Sequence, residues 1–136
     1  MKKNPVVHFE MPARDRKRMS EFYTQAFGWD AKQLGPEMGE YVVVQTTETD
    51  EKGMVKNPGT INGGFYQRTE EEGMQYPSVV IAVDDIKAHI EIVKKAGGKI
   101  TMEPMPIPGV GQFVSFIDTE GNRLSMLQPI DMGKQS

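Results

Sequence analysis

Two side chains near the start of the chain, His8 and Glu10, have types and a spacing suited to chemistry. Positions i and i+2 of a β-strand point to the same side of a sheet, so the imidazole and the carboxylate would lie on one face. Either group could act as a general base, and the two together could bind a divalent metal. Because two ligands from one strand make a weak metal site, the pair favours polar binding or proton transfer.

Other reactive groups are scarce. The chain has no cysteine, which excludes disulfides, thiolate metal sites and cysteine nucleophiles. No serine lies in a Gly-x-Ser-x-Gly motif, so a serine nucleophile has no support. The second histidine, His89, borders the apolar stripe of a predicted helix, and we interpret it as a structural residue.

Length and charge limit the class of protein further. A chain of 136 residues has the size of one domain. The 16 basic and 19 acidic residues form no long block of either sign, which argues against a nucleic-acid partner. No apolar run approaches the roughly 18 residues of a membrane-spanning helix, and no secretory signal is visible. Together with the missing cysteines, these features predict a cytoplasmic protein without a membrane partner.

An internal repeat sets the architecture. Shifting the chain by 70 positions superposes residues 8–30 on 78–100 with five identities, among them Asp15 on Asp85. Apolar positions repeat even where identities do not. Later segments of the two copies also match, at changed spacings, because the connection Thr46–Thr60 lengthens the first copy as an extended hairpin loop.

Each copy is predicted to fold as strand, helix, strand, strand, strand. The first helix begins after Asp15 and ends at Gly28, where a left-handed residue stops it. The second begins after Asp84 or Asp85 and ends at the pair Gly97-Gly98. The second strands are expected at Asp30–Gln33 and Lys99–Met102, and a tight turn at Asp118–Asn122.

The predicted fold class is therefore α+β, with two tandem βαβββ modules that form a curved mixed sheet around a shared concave cavity. Module one spans about residues 5–68, a linker about 69–77 and module two about 78–130 within a single domain of residues 1–136. Residues 132–136 are expected to be a frayed tail.

Strand alternation predicts which side chains face the cavity. The candidate ligand-binding residues are His8, Glu10, Asn62, Gly64, Tyr66, Ser78, Arg123 and Ser125. They describe a partly polar, partly aromatic pocket for a small organic molecule. The alternative for any of them is a role in capping a strand or in contacting a symmetry partner.

Several segments resemble one known family. The segments His8–Ala13 and Phe22–Trp29, with the sequences HFEMPA and FYTQAFGW, look like the opening of the vicinal oxygen chelate superfamily. In the second copy Val83–Ile86, Ala96–Lys99 and Phe116–Arg123 agree with it. This superfamily includes glyoxalase I, bleomycin-resistance proteins and extradiol dioxygenases, and the chain is most similar to small bacterial glyoxalase-like proteins. The resemblance covers residues 5–129 and implies the paired-module fold and, in some members, homodimers.

The resemblance also implies where metal ligands would lie in the enzymes of the superfamily. The corresponding positions here are His8, Gly63 or Gly64, Ser78 and Ser125. Only His8 offers a donor that a divalent metal prefers, and Glu10 is the one possible addition. We therefore predict no cofactor, with a divalent metal at His8 and Glu10 as the alternative.

The leading functional hypothesis is a small-molecule-binding protein without a catalytic metal, similar to the resistance-type members. The alternative is a lyase, isomerase or dioxygenase-type enzyme that acts on a small carbonyl or aromatic substrate with His8 or Glu10 as the base. A third hypothesis is a non-catalytic module that contacts another protein.

Overall fold

Strands and helices follow one another as expected of two βαβββ modules, with one additional short strand in the second, which confirms the α+β fold class. The structure, a computed structural model, describes residues 2–52 and 54–130. They divide into a first unit, Val7–Pro77, and a second unit made of the described residues up to Val6 and from Ser78 onward. The predicted tail at residues 132–136 lies outside the described residues.

In the first unit, helix α1 packs on a four-stranded sheet. The elements are β1 (Val6–Ala13), α1 (Arg16–Phe27), β2 (Asp30–Gln33), β3 (Val42–Gln45) and β4 (Asn62–Gln67), with a 3₁₀ turn at Pro36–Met38. The strand order is β2-β3-β4-β1. Strands β1 and β4 run parallel, whereas β3 is antiparallel to both β2 and β4.

The ends of α1 lie where the sequence predicts them. The Asp15 carboxylate accepts a hydrogen bond from the backbone N–H of Arg18 at 3.0 Å, and Gly28 ends the helix with a φ of 72°. The apolar stripe of α1 covers a core whose buried centre is Val42, Val44 and Phe65. Sequence capping signals and apolar spacing therefore fix this helix on one side of the sheet.

In the second unit, helix α2 packs on the corresponding sheet. The elements are β5 (Ser78–Ala82), α2 (Ile86–Lys95), β6 (Lys99–Ile100), β7 (Met105–Ile107), β8 (Gly111–Ile117) and β9 (Arg123–Pro129). The strand order is β5-β9-β8-β6, and β7 also pairs with β8. The buried core is Val83, Ile86, Val114, Phe116 and Met126.

Three details refine the sequence predictions. Asp85 is the residue that caps α2, because its carboxylate accepts from the N–H of Ala88, whereas Asp84 forms an ion pair with Lys2 at 2.9 Å.

The strand predicted at Lys99–Met102 was too long. It ends at Ile100, and β7 follows it as a separate short strand; the two prolines between Met102 and Ile107 cannot donate backbone hydrogen bonds to a ladder.

Within the described residues, the long connection Thr46–Thr60 contains very little β-strand pairing. One isolated bridge joins Thr49 and Val55. The Asp50 carboxylate accepts from the backbone N–H groups of Lys52 and Met54, so a side chain holds the turn at its tip. Across residues 2–52 and 54–130, no helix has the length and apolar character needed to cross a bilayer.

The predicted tight turn at Asp118–Asn122 is built around one carboxylate. Asp118 accepts from the Asn122 side-chain amide at 3.0 Å, from the Asn122 N–H at 2.9 Å and from the Glu120 N–H at 2.8 Å. These hydrogen bonds lower the pKa of Asp118 below its ordinary value of 3.8, the Asn122 side chain contributing most. They stabilise the charged form, so the turn depends on ionised Asp118.

Replacing Asp118 with asparagine is expected to destabilise the protein at neutral pH and to have little effect in acid. A depressed folded-state pKa contributes stability above the unfolded pKa near 3.8, and that contribution disappears as the pH falls through the lower folded value. Chemical denaturation between pH 7 and pH 2.5 measures the difference. Glu120→Gln in the same turn is the control, and a pH-independent difference for Asp118→Asn would contradict the assignment.

Candidate functional site

Opposite α1, the sheet of the first unit presents a face that carries five of the eight predicted site residues. Strands β1 and β4 pair in parallel register, with His8 beside Asn62, Glu10 beside Gly64 and Pro12 beside Tyr66. The alternating residues Phe9, Met11 and Phe65 belong to the core under α1. We call this side of the sheet the first-unit face; its predicted members are His8, Glu10, Asn62, Gly64 and Tyr66.

Tyr41, which is not among the predicted site residues, contacts the centre of this face. Its hydroxyl donates to Oε2 of Glu10 at 3.2 Å. Burial raises the pKa of Tyr41 far above its ordinary value of 10, and the nearby Glu10 carboxylate raises it further. The hydroxyl is therefore a neutral donor throughout the physiological pH range, and it holds the Glu10 carboxylate in place.

A turn before β3 positions Tyr41. The Arg16 guanidinium donates to the carbonyls of Gly39 and Glu40, at 2.9 Å in each case. The N–H of Tyr41 donates to Met38, and its carbonyl accepts from the N–H of Leu34 at 2.8 Å. Strand alternation then places Tyr41, like Val43, on the first-unit face. This alternation is the only signal in the sequence that could have identified Tyr41.

Gly64 leaves room for the Tyr41 ring. A Cβ atom at Gly64 would overlap the Tyr41 hydroxyl and ring, whereas a Cβ atom at Gly63 would collide with Phe9 on the core side. The resemblance left both glycines open as the counterpart of a metal-ligating position. The register places Gly64, beside Glu10, on the face that carries the other candidate residues.

His8 is half-buried, and one of its ring nitrogens has a fixed role. Nδ1 lies 2.8 Å from the carbonyl oxygen of Val7. A carbonyl can only accept, so Nδ1 carries the proton, and in the neutral ring Nε2 carries the lone pair. His8 can therefore accept a hydrogen bond from a ligand or take up a proton at Nε2.

Asn62 and Tyr66 have partners within the unit. The buried Asn62 side chain accepts from the N–H of Thr46 at 2.8 Å, so it anchors the end of β3 and the start of the long connection. The hydroxyl of Tyr66 donates to the carbonyl of Tyr76 at 3.3 Å. The hydrogen bond of Asn62 favours the alternative stated for these residues, a structural role at the end of a strand.

Replacing Asn62 with leucine is expected to lower the free energy of unfolding by about 1–3 kcal/mol, because the N–H of half-buried Thr46 loses its acceptor and leucine cannot replace it. Equilibrium denaturation measures the loss. Asn57→Leu, an exposed asparagine of the same connection, is the control and should change stability by less than about 0.5 kcal/mol. A variant Asn62→Leu with normal stability and altered ligand binding would instead assign Asn62 to the ligand.

The other three predicted residues lie in the second unit. Ser125 is buried on β9, where it pairs with Ser115 on β8 and with Val80 on β5. The Arg123 guanidinium donates to the hydroxyl of Ser115 at 3.0 Å, and Thr101 also hydrogen-bonds to that hydroxyl. Ser115 therefore organises this polar cluster although it was not a predicted site residue. Ser78 begins β5 and is half-buried.

The groups at the positions that correspond to metal ligands do not suit the divalent metal implied by the resemblance. In the first unit the third position, beside His8 and Glu10, is Gly64. It has no side chain, and the Tyr41 ring occupies the space that one would need. The corresponding positions of the second unit carry the hydroxyls of Ser78 and Ser125, which are poor ligands. Among residues 2–52 and 54–130, no three His, Cys, Asp or Glu side chains gather in a group that could hold a metal ion.

Comparisons with known proteins agree with the fold. A "Glyoxylase-like domain-containing protein" of Didymella fabae is 36% identical over 120 residues, which cover 86% of this chain and 88% of that protein. A "Probable lactoylglutathione lyase" of Vibrio cholerae is 28% identical over 94% of this chain and 93% of the relative. Methylmalonyl-CoA epimerase from Mycobacterium tuberculosis has the same fold, with a TM-score of 0.65 and 12% identity over 96% of this chain and 91% of the epimerase.

The family assignment follows from the extent of these matches. The sequence profile of the Glyoxalase/Bleomycin resistance protein/Dioxygenase superfamily matches residues 6–126, which include both repeats. It spans every helix and almost every strand described above. The chain therefore belongs to the Glyoxalase/Bleomycin resistance protein/Dioxygenase superfamily.

Proposed function

We propose that the chain binds a small organic molecule on the first-unit face and that it does so without a catalytic divalent metal. The observation that carries the proposal is the hydrogen bond between Tyr41 and Glu10 beside Gly64. A carboxylate, a phenol hydroxyl and the Nε2 atom of His8 can bind the hydroxyl or carbonyl group of a ligand. Val43 adds an apolar surface next to Gly64.

The proposal is tested on protein purified without an affinity tag. Native mass spectrometry is expected to detect a bound organic molecule, or ligand-observed NMR to detect binding from a library of small polar compounds. Elemental analysis is expected to find far less than one divalent metal per chain. A stoichiometric metal whose removal by a chelator abolishes ligand binding would overturn the proposal.

A second candidate function is proton transfer next to a carbonyl group, as in a lyase or an isomerase. The observation in its favour is a carboxylate that a neutral hydroxyl orients, which is how a general base is held in place. One relative has the name "Probable lactoylglutathione lyase", and one protein of the same fold is a methylmalonyl-CoA epimerase. Lactoylglutathione and methylmalonyl-CoA are both thioesters with a hydrogen on the carbon beside the carbonyl.

In this candidate the Glu10 carboxylate takes the proton from that carbon, and the electron pair of the C–H bond moves toward the thioester oxygen. Return of the proton restores the thioester. Incubation with S-lactoylglutathione or methylmalonyl-CoA in D2O, followed by NMR, measures exchange of the hydrogen. Exchange no faster than in buffer for both thioesters would reject proton transfer on this class of substrate.

A further inference from the structure

The Tyr41 side chain fills the volume into which any side chain at position 64 would extend. We propose that Tyr41 replaces a metal ligand in this chain: its ring keeps a third ligand away from His8 and Glu10, and its hydroxyl positions the Glu10 carboxylate. The inference rests on the proposed function and deepens it, because it names the residue that makes the first-unit face independent of a metal.

The geometry of the two strands shows what Tyr41 prevents. His8 and Glu10 lie two residues apart on β1 and point to the same face, and Gly64 pairs with Glu10 on the neighbouring strand. Paired strands are about 4.8 Å apart, so an imidazole at position 64 would reach the other two side chains. Two imidazoles and one carboxylate are a common ligand set for a divalent metal. In this chain the Tyr41 ring stands in that space.

The ring and the hydroxyl have separate roles. Both the hydroxyl and the adjacent ring carbons overlap a Cβ atom placed at Gly64, so the ring alone is sufficient to exclude a larger side chain. The hydroxyl makes the hydrogen bond to Glu10. Phenylalanine at position 41 therefore preserves the exclusion and removes the positioning, whereas alanine removes both.

The exclusion is tested by metal binding in paired variants. Isothermal titration with Zn²⁺ is expected to show binding about tenfold or more tighter for Tyr41→Ala/Gly64→His than for Tyr41→Ala/Gly64→Ala, which differs only in the imidazole. Adding His8→Ala should remove the gain. Tyr41→Phe/Gly64→His keeps the ring, so it should either lose the fold, because the ring overlaps the new Cβ atom, or bind Zn²⁺ no better than the wild-type chain.

Stability is followed in the same proteins. Circular dichroism checks that each variant folds, and Tyr41→Val/Gly64→His serves if the alanine variant does not, since valine is well suited to an extended segment. Equal Zn²⁺ affinity in a folded Tyr41→Phe/Gly64→His and Tyr41→Ala/Gly64→His would overturn the exclusion. So would a folded Tyr41→Ala/Gly64→His that binds no better than Tyr41→Ala/Gly64→Ala.

The positioning role has its own readout. The hydroxyl fixes the orientation of the carboxylate, so Tyr41→Phe is expected to move the NMR resonance of the Glu10 carboxyl carbon at neutral pH, in a protein whose circular dichroism is unchanged. An unchanged resonance of the Glu10 carboxyl carbon would overturn the positioning role. Tight stoichiometric Zn²⁺ binding by the wild-type chain would contradict the proposed metal-independent function itself. The variant results above, by contrast, contradict only the roles assigned to Tyr41.

Discussion

Replacing Phe65 with alanine is expected to lower the free energy of unfolding by about 3–5 kcal/mol, the cost of removing a large buried ring from a packed core. Phe65 is fully buried on β4 and packs against α1, with its ring centroid 5.7 Å from that of Tyr23. The residues on either side of it, Gly64 and Tyr66, belong to the first-unit face. Successive residues of β4 point to opposite sides of the sheet. The strand register that buries Phe65 in the core therefore also places Gly64 and Tyr66 on the first-unit face.

Urea denaturation followed by circular dichroism measures this loss. Val43→Ala is the control, because Val43 is 40% exposed on the neighbouring strand β3 and its truncation should cost far less than that of Phe65. A loss below about 1.5 kcal/mol for Phe65→Ala would mean that α1 is not held to the sheet by this ring.

Local signals in the sequence predicted the helix ends and the sides of β1. Asp15 caps α1 through an N–H three residues away, and Gly28 ends it, so each signal acts within one helical turn. The period of two along β1 likewise places His8 and Glu10 on the face opposite Phe9. These predictions succeed because the interactions involved span only a few residues.

Tyr41 was not predicted, because its position depends on residues that are distant in the sequence. Arg16, at the start of α1, holds the carbonyls of the turn that precedes Tyr41, and Glu40 in that turn has a φ of 54°, which is uncommon for a residue other than glycine. The partner of its hydroxyl, Glu10, lies 31 positions earlier in the chain. Composition and periodicity contain no information about a contact between two side chains so far apart in the chain.

The same limit changes the interpretation of Asn62. An asparagine on the predicted cavity face is a natural candidate for ligand binding, but its side chain accepts from the N–H of Thr46, which follows a different strand. Buried polar groups are nearly always hydrogen-bonded, so a polar residue on such a face can be committed to the fold. Glu10 and His8 differ from Asn62 because their acidic and basic groups can still exchange a proton.

Replacing Glu10 with glutamine is expected to reduce the exchange of the thioester α-hydrogen by about 10²–10⁴-fold if the chain is a proton-transfer enzyme, the usual contribution of a positioned base. Glutamine keeps the shape of the side chain and an oxygen that accepts from Tyr41, but it cannot take up the proton. The measurement is deuterium incorporation into S-lactoylglutathione and methylmalonyl-CoA, with Glu21→Gln on the exposed surface of α1 as the control.

The two candidate functions predict different results for this variant. A general base at Glu10 requires that Glu10→Gln lose exchange while Glu21→Gln retains it, and that Tyr41→Phe fall between them because it keeps the carboxylate and loses only its orientation. A binding protein requires that no variant exchange and that Glu10→Gln alter only the affinity for a ligand. Exchange at the wild-type rate in Glu10→Gln would remove Glu10 from catalysis and leave the Nε2 atom of His8 as the base on this face.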